Sequence, residues 1–229
     1  NVGWTARESV FQDPAVWYRE GSVDFIVPMM YYRDNLFDPF LADWKAQIPG
    51  LPIVPGLAPY RIEDESKWTA RDIENQMNAS ERLGMAGICF YRELNIRPNR
   101  NGVDRVISRH FTAPARMPSF AKRGVNRPPR PSGLTIEDRG QYLEASWTMP
   151  SSWNSSKGTF NFYVSVPEGN LAGENFLLAT LIPSTRYTFS KELLQPFSRA
   201  KTLQFRVEAS SRSYVRGEAS EAAILVKGN

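Results

Sequence analysis

Three short apolar runs recur in the first half of the chain, and a segment with helical periodicity follows each of them. The runs are residues 23–32, 51–60 and 85–94. Regular alternation of short strands with helices predicts a parallel sheet joined by right-handed crossovers. We therefore expect the first half of the chain to form an α/β unit.

Each run contains a tyrosine near its carboxyl end, and an arginine follows one or two residues later. The tyrosines are Tyr31, Tyr60 and Tyr91, and the arginines are Arg33, Arg61 and Arg92. In parallel α/β folds the carboxyl ends of the strands lie along one edge, where ligands bind. These six residues are the predicted substrate-binding residues.

The two residue types suggest a carbohydrate ligand. Tyrosine rings at such an edge can stack on sugar faces, and their hydroxyls can hydrogen-bond sugar oxygens. Three arginines around one pocket favour an anionic ligand such as a uronic acid or a carboxylated peptidoglycan fragment, because guanidinium binds carboxylate through two hydrogen bonds. The alternatives are tyrosines that are core rings with solvated hydroxyls, and arginines that are ordinary surface charge.

Helix boundaries in this half are marked by capping residues. Asp13 and Pro14 predict a helix start before residue 19, and residues 37–46 carry an apolar face. Thr69 with Asp72 approximates a capping box for a helix that ends before residue 84. A short helix is predicted over residues 102–109.

The second half has a different texture. Residues 121–131 are rich in proline, glycine and arginine and predict a linker. Seven short alternating runs follow, which predict an antiparallel sandwich over residues 132–229. The predicted α/β domain then covers residues 1–120.

The sandwich segment opens with prolines, carries Trp147 on its second predicted strand and has the sequence F-R-V-E-A from Phe205 on its sixth. In these features it resembles a fibronectin type III domain. Phe205 stands where the family usually has tyrosine. The resemblance implies a seven-stranded sandwich with Trp147 in its core.

Residues 5–101 contain A-R-E-S-V-F near the start, P-G-L-A-P-Y at residues 55–60, W-x-x-x-x-I-x-x-Q from Trp68 and G-I-C-F-Y-R at residues 87–92. The order and spacing of these motifs give a resemblance to the carboxyl half of the glycosyl hydrolase-like family ten proteins. It implies a partial (β/α) barrel whose runs correspond to strands six to eight of a TIM barrel. It also implies an exported bacterial protein or lipoprotein, secreted or held in the cell envelope, with a signal sequence that is not in this chain.

The same resemblance implies that the acids suspected of catalysis lie upstream of this chain. Glycoside hydrolysis needs two carboxylates, and Asp34 and Glu93, near the strand ends, are only weak catalytic candidates here. Asp34 also suits a turn, and Glu93 can pair with Arg92. The sequence predicts a portion of a glycoside hydrolase acting on a polysaccharide, inactive as this chain alone, or a non-catalytic carbohydrate-binding or cell-envelope adhesion module.

Other chemistries find little support. Cys89 is the only cysteine, so no intramolecular disulfide is possible, and its place in the third run predicts burial. His110 is the only histidine, so no metal site or cofactor is expected. The basic segment 97–130 holds few aromatic residues, which argues against nucleic acid. No transmembrane segment is expected. Unpaired barrel edges predict association with another chain or with the missing part of the barrel.

Overall fold

The computed structural model describes residues 6–65, 67–98, 100–120, 127–153, 155–168 and 172–227. The chain divides into two compact units, Asn1–Thr112 and Ala113–Asn229. The predicted domain limits remain a prediction, and residues 121–126 of the predicted linker lie outside the described residues.

The three apolar runs of the first unit lie side by side and parallel. The first run bridges the second at Ile26↔Ile53 and Met29↔Gly56. In the second and third runs, β1 (Gly56–Leu57) pairs in parallel with β2 (Cys89–Phe90). The parallel arrangement is as predicted, but the strands are much shorter than the runs. Prolines within the first two runs lack the N–H that a ladder requires, which limits regular pairing. That these runs form a sector of a barrel remains a prediction.

The described part of the first unit contains six helices: α1 (Ala6–Ser9), α2 (Pro14–Arg19), α3 (Phe37–Gln47), α4 (Arg61–Asp64), α5 (Ala70–Arg82) and α6 (Val103–His110). Short 3₁₀ turns cover Asp34–Leu36 and Glu93–Ile96. Asp13 accepts a hydrogen bond from Val16 N and caps α2, and Thr69 with Asp72 forms the predicted capping box of α5. Among the described helices, none combines the length and apolarity needed to cross a membrane.

The core of the first unit lies between one face of the sheet and the helices. Leu41 of α3, Leu57 of β1, Ile73 and Met77 of α5 and Val103 of α6 are all fully buried there. Burial of these apolar side chains is the main force that holds the helices on that face. The helix positions predicted from periodicity are therefore explained by one shared core.

The opposite face of the sheet is exposed. Phe25, Val27 and Met29 alternate along the first run and are 46%, 43% and 72% exposed. Cys89 of β2 is exposed too, so the prediction that it is buried is wrong. Its position in an apolar run indicated burial, but the helices cover only the face that carries Ile88 and Phe90.

The second unit is built from two antiparallel sheets around one core. A three-stranded sheet has the order β3-β4-β7, and the other has the order β10-β8-β5-β6 with β9 also paired to β8. The strands are β3 (Ser132–Asp138), β4 (Tyr142–Thr148), β5 (Gly158–Ser165), β6 (Phe176–Ile182), β7 (Arg186–Ser190), β8 (Thr202–Ser211), β9 (Arg216–Ala219) and β10 (Ala223–Val226). Short 3₁₀ segments cover Ser155–Lys157 and Lys191–Phe197.

Aromatic residues fill the core of this unit. Trp147 is 4% exposed, as predicted, and packs on Phe160 and Phe162. Phe205 is fully buried against Phe162. The seven predicted strands are present, and the short β9 is an additional one. This strand contains Gly217 and alternating charges, so it lacks the apolar alternation from which strands are predicted. A Cβ at Gly217 would lie 2.6 Å from the Pro128 carbonyl oxygen, so this strand requires glycine.

Residues 113–120 are the first residues of the second unit, and Arg116 and Phe120 contact its later residues. Arg116 Nη1 donates to the hydroxyl of Tyr163, at 3.3 Å, and Phe120 N donates to Ser213 O, at 2.9 Å. The ring of Phe120 also meets that of Tyr214. This segment helps to bury Tyr163 on the outer face of the larger sheet.

Candidate functional site

The rings of Tyr31, Tyr60 and Tyr91 form a mutual contact, which we call the tyrosine cluster. Tyr31 and Tyr91 have their centroids 6.2 Å apart in a stacked arrangement. Tyr60 meets both edge-on, with centroids 5.9 Å from Tyr31 and 5.8 Å from Tyr91. The structure thus brings together three residues that sequence analysis placed at one edge.

Backbone pairing sets this convergence. Met30 N donates to Gly56 O, and Tyr91 N donates to Leu57 O. The carboxyl ends of the three runs therefore lie at about the same level of the sheet. Tyr60 follows as the N-cap residue of α4. Because parallel strands keep their carboxyl ends at one edge, the tyrosines that end these runs meet there.

The cluster is partly accessible. Tyr91 is 54% exposed, whereas Tyr31 and Tyr60 are half-buried. Burial is the main cause that raises the pKa of Tyr31, and the neighbouring Tyr60 and Tyr91 add to it. The raised pKa keeps the Tyr31 hydroxyl protonated at neutral pH, as a hydrogen-bonding group.

Arg61 is the arginine that lies on the cluster. Its guanidinium carbon lies 5.9 Å from the centroid of Tyr60 and 5.6 Å from that of Trp68, and the side chain pairs with Glu65. Trp68 is buried, so Arg61 is held between the cluster and the core. This contact is a cation–π arrangement that orients the guanidinium.

Arg33 is directed toward the start of α5. Its Nη1 donates to Lys67 O, and its guanidinium lies 3.4 Å from Asp34 and 3.9 Å from Asp72. Asp72 belongs to the capping box of α5. Arg33 thus ties the loop after the first run to that helix, and its predicted role as a ligand residue remains a prediction.

Arg92 is fixed at one point of its guanidinium. Its Nε donates to Asn95 Oδ1, at 3.3 Å. Among the described residues, this is the one hydrogen bond formed by the Arg92 side chain. Its terminal nitrogens, Nη1 and Nη2, have no hydrogen-bond partner there. A guanidinium held at Nε can still offer its outer nitrogens to a carboxylate.

The two weak catalytic candidates both have partners within the chain. Asp34 pairs with Arg33, and Glu93 binds Arg97 through both oxygens, at 2.8 and 3.0 Å. The hydrogen bonds from Arg97 lower the pKa of Glu93. A general acid of a glycosidase needs a raised pKa, so this environment is opposite to that role.

Glu63 of α4 is a residue that the sequence analysis does not single out, and it lies at the centre of a side-chain network. Its carboxylate accepts from Arg100 Nε and Nη2, at 2.7 and 2.6 Å, from Asn95 Nδ2 at 2.8 Å and from Asn101 Nδ2 at 3.2 Å. These bonds lower the pKa of Glu63 to about 2, with Arg100 as the largest cause. Sequence proximity could not reveal the network, because all its donors come from the loop after the third run.

The arrangement offers two kinds of contact to a ligand. The tyrosine cluster presents an aromatic surface with hydroxyl groups. Arg61 and Arg92 are neighbours of its tyrosines in the sequence, and Arg61 also lies against Tyr60 in space. Such groups can stack on a pyranose ring and hydrogen-bond its oxygens. They can bind a ligand without a covalent step.

Comparisons with known proteins give weak likenesses. No protein-family model matches the chain, and no curated protein matches it. The resemblance to glycosyl hydrolase-like family ten therefore remains a prediction. Among solved structures, the pectate lyase Pel3 of Pectobacterium carotovorum is 16% identical, with a TM-score of 0.29 over 42% of this chain. The match spans only 26% of the pectate lyase.

Two further structures are similar over larger shares of their own length. The spore cortex lytic enzyme SleM of Clostridium perfringens is 12% identical over 84% of this chain and 74% of its own, with a TM-score of 0.34. The fibronectin type III domain of human fibronectin type III domain containing protein 3 is 18% identical over 45% of this chain and 89% of its own, also at 0.34. At these scores the likenesses carry no argument about this chain.

Proposed function

We propose that the first unit binds a polysaccharide at the tyrosine cluster and belongs to an exported bacterial glycoside hydrolase. The observation that carries the proposal is the contact of three tyrosine rings at the carboxyl ends of three parallel runs, with centroids 5.8–6.2 Å apart. Sugar rings stack on such partly exposed aromatic surfaces, and hydroxyls at the edge supply hydrogen bonds.

The catalytic acids of this enzyme are proposed to lie upstream, on strands that complete a (β/α) barrel with these three. Two facts support that placement. Glu63 and Glu93 are bound by arginines that lower their pKa, whereas a general acid needs a raised one. The face of the first run that a barrel would enclose carries the exposed Phe25, Val27 and Met29.

The second unit is proposed to be a fibronectin type III-like spacer. Its three-stranded and larger sheets enclose Trp147, in agreement with that resemblance. A secreted or cell-envelope location belongs to the same proposal, because the polysaccharide ligand of an exported protein lies outside the cell membrane.

A non-catalytic carbohydrate-binding or adhesion module is the second candidate. The ion-paired state of Asp34 and Glu93 favours it equally, since a binding surface needs no acid of raised pKa. The two candidates share the tyrosine cluster and differ in whether the intact parent cleaves its ligand.

A polysaccharide screen separates them. The 229-residue chain and the parent with its upstream strands are tested in parallel for binding and for release of reducing ends. We expect binding by both and cleavage by the parent only. Binding without cleavage by the parent would favour the adhesion module. Cleavage by the 229-residue chain alone would overturn the placement of the acids, and absence of binding by both would overturn the function.

A further inference from the structure

A hydrogen-bonded chain connects the loops that follow the second and third runs, and it ends on Arg92. Glu63 lies in α4, one helical turn after Tyr60, and Glu63 N donates to Tyr60 O at 3.0 Å. Asn95 lies in the 3₁₀ turn that follows Tyr91 and Arg92. The side chains of Glu63 and Asn95 join these two segments directly, at 2.8 Å.

The chemistry of the carboxylate decides which way the Asn95 amide points. An ionised carboxylate only accepts hydrogen bonds, so Nδ2 of Asn95 must face Glu63. Its Oδ1 is then turned toward Arg92, whose Nε donates to it. Asn95 is 1% exposed, so water cannot readily replace either bond.

Further contacts hold the Glu63 carboxylate in place. Arg100 binds both of its oxygens, and Asn101 donates to one of them. Asn101 Nδ2 also reaches Asn95 O, and Asn101 Oδ1 accepts from Val103 N at the start of α6. The network therefore rests on a helix end, which makes Glu63 a fixed reference for the Asn95 amide.

We propose that Glu63 is a positioning residue that orients Arg92 through Asn95, and so sets a preference for carboxylate-bearing sugars. This inference rests on the proposed function, in which a sugar binds at the tyrosine cluster, and on the sequence prediction that Arg92 binds its carboxylate. Glu63 does not touch the ligand. Its effect is to hold Nε of Arg92 so that the outer nitrogens present one geometry, which is the condition for two parallel hydrogen bonds to a carboxylate.

The test uses Glu63→Ala, with Glu74→Ala as the matched control. Glu74 also pairs across distant sequence, with Arg109 on α6 at 3.3 Å, but it does not touch Asn95 or Arg92. The probes are a hexasaccharide of galacturonic acid and the same oligosaccharide with its carboxyl groups reduced. The preference is the ratio of the two dissociation constants, measured by titration calorimetry.

We expect Glu63→Ala to lower the preference about fivefold, the effect of losing one hydrogen bond that orients Arg92 through Asn95. Binding of the reduced sugar should be unchanged. Glu74→Ala should leave the ratio at the wild-type value. Glu63→Gln should recover part of the preference, because its side-chain oxygen can still accept from Asn95. A merely structural role would weaken both sugars alike, and an unchanged ratio in Glu63→Ala would overturn the inference.

A second readout needs no sugar. The Nε–H signal of Arg92 in a nitrogen–proton NMR spectrum, assigned by its loss in Arg92→Lys, should be protected from exchange in wild type and in Glu74→Ala. It should exchange rapidly in Glu63→Ala, and its persistence there would overturn the inference.

If Glu63→Ala does not fold, Glu63→Asp keeps the charge but withdraws the carboxylate from Asn95, and the same loss of protection is expected. Failure of the wild-type protein to bind either sugar would contradict the proposed function. The exchange of the Arg92 Nε–H signal would still test the positioning role of Glu63, because it is measured without sugar.

Discussion

The rings of Tyr60 and Tyr91 meet at 89°, edge to face, with their centroids 5.8 Å apart. They come from different runs and reach each other because Tyr91 N is hydrogen-bonded to Leu57 O, three residues before Tyr60. Edge-to-face contact is a favourable geometry for aromatic pairs. The same contact leaves Tyr91 more than half exposed, where a ligand can reach it.

Replacing Tyr91 tests the cluster as a binding surface. We expect Tyr91→Ala to weaken polysaccharide binding about tenfold, because stacking on an exposed ring contributes about 1 kcal/mol or somewhat more. The measurement is a titration of the ligand found in the polysaccharide screen. Tyr142→Ala is the control, since Tyr142 is an exposed tyrosine on β4 of the second unit. Equal losses in both variants would contradict the assignment.

Acid should remove the contribution of Glu63 to stability. Folding lowers its pKa from an ordinary 4.5 to about 2, chiefly through Arg100. The folded carboxylate stays ionised while the unfolded one takes up a proton, so the contribution is complete above the unfolded pKa and disappears as the pH falls through the folded one.

We therefore expect the Tm of the wild-type first unit to exceed that of Glu63→Gln near neutral pH, and the difference to shrink as the pH falls from about 4.5 toward 2. Thermal unfolding followed by circular dichroism across that range is the measurement. A difference that stays constant, or that grows as the pH falls, would show that the carboxylate is not stabilised in the folded state.

The buried Trp147 should dominate the stability of the second unit. Its ring packs on Phe160 and Phe162 and is 4% exposed. Trp147→Ala should cost about 3–5 kcal/mol of unfolding free energy, because a large cavity replaces the ring. Urea unfolding of the variant, beside Tyr142→Ala as a surface control on the same strand, measures the cost. A loss no larger than that of the control would contradict the packing.

Gly158 at the start of β5 should not accept a side chain. A Cβ there would lie 1.9 Å from the carbonyl oxygen of Ser210 on the paired strand β8. We expect Gly158→Ala to destabilise the second unit by about 1–3 kcal/mol or more, because the strand pair must separate locally. Thr159→Ala, the next residue along, is the control in the same urea experiment. Equal stability of Gly158→Ala and wild type would contradict this close approach.

The sequence predicts the helices and the sandwich strands better than the parallel strands. Caps such as Asp13 and the Thr69–Asp72 pair act through local hydrogen bonds, so local sequence is enough to find them. The extent of β1 and β2 depends on which neighbours supply ladder partners, which local sequence does not contain. The exposure of Cys89 has the same origin, since it depends on what covers a sheet face.

The candidate site shows the same division. The meeting of Tyr31, Tyr60 and Tyr91 follows from parallel topology and the position of each at a strand end. The directions of Arg33 and Arg92 do not follow from it, because they are set by Asp72 and Asn95. Side-chain networks across distant segments, such as that of Glu63, carry no periodic signal for sequence analysis to use.

The most direct test of the account is whether the tyrosine cluster meets the sugar. The measurement is an NMR titration of ring-labelled tyrosine with the hexasaccharide of galacturonic acid and with its carboxyl-reduced form, with signals assigned by single Tyr→Phe variants. The account predicts that the signals of Tyr31, Tyr60 and Tyr91 shift together and saturate at one ligand concentration, while that of Tyr142 does not move. Binding that shifts other tyrosines and leaves these three unchanged would contradict it.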